Sequence, residues 1–163
     1  MKNYETLDLG YITLGDNVMV SDPCYKLGTW CQDLLEDVLP GRYRCSLLIS
    51  DEGEWGKRVA FLTASHSDVE NITFDLNDLE SESGDIGVDS GMCGIFDYEF
   101  YKRFADNEEL YDECCKIDFG DSFGDTDKLA VISSSGYGDG CYDLLVNRND
   151  EGKVNFICLD YFI

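Results

Sequence analysis

The chain has 163 residues, 12 of them basic and 34 acidic, for a formal net charge of −22. That length fits a single domain over 1–163, and 44% hydrophobic with 13% aromatic residues supply a core and exclude a disordered chain. The charge excludes direct binding to nucleic acid or to an anionic membrane through phosphates, and no apolar run approaches a membrane span.

In chain order, Tyr11 to Leu14 and Asn17 to Val20 read as short strands, and Gly15-Asp16 between them predicts a hairpin. Thr29 to Val38 predicts a helix, with Trp30, Leu34, Leu35 and Val38 at helical spacing and Pro40-Gly41 as the stop. Tyr43 to Ile49 and Arg58 to Ala64 read as strands joined by the polar turn at 51–56. Residues 65–85 read as an acidic loop with one short strand at Asn71 to Phe74. Ile86 to Val88 and Cys93 to Phe96 flank the turn Asp89-Ser90-Gly91 as strands. Tyr98 to Lys116 is the best helical stretch, with Phe100, Tyr101, Phe104 and Leu110 on one stripe and a second short helix opening beyond Asn107. The Gly/Asp-rich 118–127 reads as a loop. Leu129 to Ser133, Tyr142 to Val146 and Val154 to Tyr161 complete the strands, the last two joined by the turn 149–152. The expected fold is mainly β, an antiparallel β-sandwich or partly open barrel with one or two inserted helices, α+β being the alternative.

The charge is uneven: residues 67–127 carry 19 acids against 3 bases. Such a face is a solvating surface, a surface for a basic partner, or a weak cation site. The eight cysteines include no C-x-x-C pair, and MKNYETLDLG has no apolar export signal. Reduced thiols, a cytoplasmic location and no structural zinc are therefore expected.

Three motifs stand apart: Ser21-Asp22-Pro23-Cys24-Tyr25, Val88-Asp89-Ser90-Gly91-Met92-Cys93-Gly94-Ile95-Phe96-Asp97, and Ser135-Gly136-Tyr137-Gly138-Asp139-Gly140-Cys141-Tyr142. Each sets Asp beside Gly or Pro, the chemistry of turns whose carboxylates accept backbone N–H bonds. They are either structural turns or three walls of one pocket, with Asp22, Asp89 and Asp139 close together. The candidate binding residues are Asp22, Cys24, Tyr25, Asp89, Ser90, Tyr137, Asp139 and Tyr142. The single histidine, His66, admits a Cys/His/Asp hydrolase with Cys24 or Cys93 as nucleophile and Asp22 or Asp89 orienting the ring. GYGDG lacks the Lys-Ser/Thr and the following helix of a phosphate loop. Residues 118–127 lack the spacing of a calcium loop. No metal or other cofactor is expected.

The order SDPCY, PGRY at 40–43, VDSGMCGIFD, SSSGYGDGCYDLLV and ICLDYFI resembles a group of small bacterial and phage proteins classed as a domain of unknown function. The resemblance spans nearly the whole chain. Its shared positions are Asp22, Pro23, Pro40, Gly41, Arg42, Tyr43, Asp89, Gly91, Gly138, Asp139, Gly140, Tyr142 and Asp160. Cys141 and Asp143 depart from it, standing where Ser or Gly and Pro are more usual. It implies a compact β-rich domain and no established activity, and its phage members imply action on a host protein. The expected function is non-enzymatic binding of a protein with a basic face. The alternatives are small-molecule sequestration at the three motifs and the hydrolase.

Overall fold

The computed structural model describes residues 2–69 and 75–163, and among these are eleven strands and two short α-helices. The strands are β1 (Glu5–Leu14), β2 (Val18–Ser21), β3 (Asp33–Leu35), β4 (Gly41–Asp51), β5 (Lys57–His66), β6 (Glu80–Val88), β7 (Met92–Asp97), β8 (Gly120–Gly124), β9 (Lys128–Ser134), β10 (Gly140–Arg148) and β11 (Val154–Asp160). The helices are α1 (Tyr98–Phe104) and α2 (Glu108–Cys114). One sheet runs β1-β4-β5-β11-β10-β6 and the other β3-β2-β7-β9-β8, with antiparallel ladders throughout. The architecture is a β-sandwich with inserted helices, not a closed barrel.

Alternation sorts the side chains into three apolar layers. Ile12, Leu14, Val18, Val20, Leu47, Leu62, Ile95, Val131, Leu144 and Ile157 fill the space between the sheets. The opposite face of the smaller sheet presents Met19, Phe96, Ala130 and Ile132 to Phe100, Tyr101 and Phe104 of α1. Ala60, Phe61, Phe156 and Cys158 form a small cluster on the outer face of the larger sheet. Both helices start on side-chain caps. Asp97 accepts from Phe100 N, and Asn107 accepts from Glu109 N and Leu110 N.

Four expectations need correction. Residues 29–38 are not a helix. Thr29 to Gln32 turn, and β3 pairs with β2, Leu35 entering the main core and Leu34 packing beside the helical layer. The two-residue alternation of Leu34 and Leu35 outweighs the helical spacing. A helix there would also have put Glu36 and Asp37 in its last turn, at the negative end. The segment 118–127 contains a strand. Phe123 is buried in the helical layer, and β8 pairs with β9 as an edge strand whose Gly and Asp content disguises it. Residues 80–85 are likewise strand, the polar outer half of edge strand β6. Finally, Gly15-Asp16 is no hairpin: β1 pairs with β4 and β2 with β3 and β7, so the chain crosses between sheets there. The strand expected at Asn71 to Phe74 lies outside the described residues.

Candidate functional site

The chain leaves β2 at Ser21 and passes through a loop, 22–32, that covers the edge of β6. Asp22 anchors this loop. It is fully buried, and its two oxygens accept four hydrogen bonds. Oδ1 takes Cys24 N and Ser90 Oγ, both at 2.7 Å. Oδ2 takes Asp89 N at 2.7 Å and Ser90 N at 2.8 Å. A buried carboxylate is tolerated when donors of this kind replace water. Here they clamp the first motif onto the second.

Further bonds stiffen the loop. Tyr101 Oη, from α1, donates to the Tyr25 carbonyl at 2.6 Å. Gln32 donates to Ser21 Oγ and Tyr101 Oη, and its Oε1 accepts Gly28 N and Thr29 N. Gly87 N, on the edge of β6, donates to the Cys31 carbonyl at 2.9 Å.

Between this loop and the β6–β10 pair lies a cleft of about 630 Å³. Tyr25, Thr29, Trp30 and Cys31 form one wall, Gly87 to Asp89 the floor, and Asp139, Gly140 and Cys141 the other wall. Tyr25 Oη donates to Asp89 Oδ2 at 2.8 Å. Burial, then Asp89 and Cys31, hold the Tyr25 phenol well above its ordinary pKa, so it remains a donor. Trp30 stands at the rim, 80% exposed. No lysine or arginine lines the cleft. The third motif is braced from behind, where Tyr142 Oη donates to the Gly138 carbonyl at 2.6 Å and Ser135 Oγ donates to it at 2.9 Å.

The structure thus brings Asp22, Tyr25, Asp89, Ser90 and Asp139 to one end of the sandwich. Asp22 and Ser90 hold the walls, whereas Asp89 and Asp139 face the opening. Tyr142 is buried and structural. Tyr137 belongs elsewhere: its hydroxyl donates to Glu52 at 3.2 Å and Arg58 lies over its ring. Cys24 opens into a separate hollow of about 390 Å³ with Lys26, Asp106 and Tyr111. Burial, with the Asp22 carboxylate beside it, pushes the Cys24 thiol up to about 12.

His66 ends β5, 6% exposed. Its Nδ1 accepts Asp68 N at 3.0 Å, leaving Nε2 to donate to the Pro40 carbonyl at 3.0 Å. Both ring nitrogens are occupied, and neither meets a thiol. Cys93 is buried in the main core. Trp30, Thr29, Cys31 and Gly87 went unnoticed as site residues. The helical spacing of Trp30 concealed the loop, and only the place of Cys141 within the third motif marked its wall. Among the described residues, no group of three or more His, Cys, Asp or Glu is arranged to hold a metal ion. Nor is any helix there long and apolar enough to cross a membrane.

These features define a two-sheet β-sandwich with an acidic, indole-rimmed cleft at one end. The chain belongs to the protein family of unknown function DUF4241, whose pattern matches residues 14–159 and so takes in all three motifs. No curated protein and no solved structure matches it.

Proposed function

We propose that the chain is a non-enzymatic binding protein acting inside the cell, and that its cleft receives a cationic group from a basic partner protein. The observation that carries this reading is the pairing of two carboxylates, Asp89 and Asp139, with the exposed indole of Trp30 around a cleft that no cationic side chain lines. An indole face and nearby carboxylates suit a guanidinium or ammonium group, the indole contact alone adding about 1 kcal/mol. The acidic residues Asp106, Glu108, Glu109, Asp112 and Glu113, all exposed, extend the negative field along the helices and favour a protein over an isolated cation. Action on a host protein, which the phage members of the resembling group imply, is compatible with such a surface. A small cationic molecule captured by the same cleft is the second reading, favoured by the cleft's volume. The hydrolase reading draws no support from a thiol pushed up to about 12 and a histidine with both nitrogens engaged.

The test titrates a short arginine-rich peptide by calorimetry, with the fluorescence of Trp55→Phe reporting on Trp30 alone. Asp89→Asn, Asp139→Asn and Trp30→Ala should each weaken binding about fivefold or more, and raising salt to about 0.5 M should weaken it further. Binding indifferent to all three substitutions would overturn the cleft. Binding indifferent to salt would overturn the electrostatic recognition.

A further inference from the structure

The cleft carries two thiols, Cys141 on β10 and Cys31 on the loop that crosses the edge of β6. Gly87 and Cys141 are register partners in the β6–β10 ladder. Directly opposed residues in an antiparallel ladder send their side chains to the same face, with Cβ atoms about 4.5–5.5 Å apart. Gly87 has no Cβ, and the Cys31 side chain occupies its place. A Cβ built there would stand 2.7 Å from Cys31 Sγ and 2.9 Å from Cys31 Cβ. Cys31 therefore substitutes for the side chain that would have opposed Cys141. The hydrogen bond from Gly87 N to its carbonyl sets that position through the backbone. Cys31 and Cys141 flank Gly87 in the same cleft, so a disulfide between them draws the 22–32 loop toward β10. The two thiols differ in access, Cys141 being exposed and Cys31 only 4% exposed.

We propose that Cys31 and Cys141 form a reversible thiol-oxidation site in which a peroxide reacts at Cys141 and Cys31 resolves the product. This inference rests on the walls of the cleft and not on the cationic ligand. The Cys141 thiolate attacks a peroxide oxygen. The O–O bond breaks, the departing hydroxide takes up the thiol's proton as water, and a sulfenic acid remains. The Cys31 thiolate then attacks that sulfur. The S–S bond forms, the S–O bond breaks, and the second hydroxide leaves as water with the Cys31 proton. The two thiols lose two electrons and the peroxide gains them. A small thiol reductant reverses the change. The product ties the loop bearing Tyr25 and Trp30 directly to β10.

The experiment treats the full chain with hydrogen peroxide, alkylates the remaining thiols and maps tryptic peptides. Cys31 is alone in peptide 27–42, Cys141 in 129–148 and Cys93 in 59–102, so the pairing is unambiguous. The expected result is a 27–42/129–148 adduct, lighter than the sum of its parts by two hydrogen atoms. Dithiothreitol should remove it, and it should be absent from Cys141→Ser. That substitution lies on the surface and should leave the urea midpoint unchanged, confirming that the variant is folded. Cys141 driven to sulfinic acid while Cys31 still alkylates would overturn the proposal. So would Cys31 joined to Cys93 or to any other partner. No peptide ligand enters this readout, so loss of cationic binding and loss of the crosslink are separate failures.

Discussion

Asp22 concentrates much of the site's order in one side chain. Replacing it with Ala strands three backbone N–H groups and the Ser90 hydroxyl against a dry wall. Asp22→Ala should cost about 3 kcal/mol, measured by urea unfolding, and should weaken peptide binding although Asp22 does not line the cleft. A second carboxylate acts in the opposite sense. Asp143 and Asp160 are register partners on β10 and β11, and burial first, with Asp143 adding to it, raises the Asp160 pKa. An acid whose folded pKa lies above its unfolded value costs nothing while both states are protonated. The cost grows as pH rises from the unfolded pKa to the folded one and persists above it. Asp143→Asn should therefore stabilise the protein at pH 7 by about 0.5 kcal/mol, and the gain should vanish near pH 3. Equal gains at both pH values would rule out charge repulsion. At this scale the acids of the turns were legible, because Asp before Pro and Asp-Ser-Gly are turn chemistry. Cys24 and His66 were not, since no sequence spacing shows that a ring's two nitrogens are already engaged.

Among the elements, Pro40-Gly41 illustrates what a motif can hold. Gly41 opens β4 with φ +145°, and a Cβ on it would fall 2.5 Å from His66 Nε2. The Pro40 carbonyl accepts from that same nitrogen. Gly41→Ala should cost about 2–3 kcal/mol through strain and displacement of the imidazole, read as a fall in the urea midpoint. Arg148 works similarly between elements. From β10 it pairs with Glu80 and Glu82 of β6 and with Asp37 after β3. Arg148→Met should cost about 1–3 kcal/mol and loosen the outer half of β6, visible as faster amide exchange over 80–85. The clean alternation of Tyr43 to Ile49 and the continuous apolar run of Arg58 to Ala64 were readable from sequence. Edge strands were not: β3, β6 and β8 expose polar residues on one side and borrow their register from a neighbour. Propensity and periodicity register neither.

For the whole molecule, a net charge of −22 sets the balance. Like charges repel in the compact state more than in the unfolded chain, and salt screens them over about 8–10 Å. The melting temperature should rise between low salt and about 0.5 M sodium chloride, whereas binding to the basic peptide should weaken over the same range. Opposite slopes from one variable distinguish self-repulsion from recognition. Reversing Asp106, Glu108, Glu109, Asp112 and Glu113 to lysine should flatten both slopes. Composition made the β-rich class and the acidic middle readable. It could not reveal that the loop after β2 crosses the edge of β6 to build one wall of the cleft, because that contact joins residues 67 and 68 positions apart in sequence.

The order of strands in the larger sheet has a kinetic consequence. β11 lies between β5 and β10, so the middle of the sheet is completed by a strand made after all its neighbours. Until then β5, apolar on both faces, has an unpaired edge beside β1 and β4. Pairing across such sequence distances is slow, and an open apolar edge invites association with other chains. A nascent chain stalled before 154 should therefore be captured by holdase chaperones and aggregate on release, while one extended past 160 should fold within the ordinary time of a β-sandwich. Productive folding of this sandwich waits on the arrival of β11.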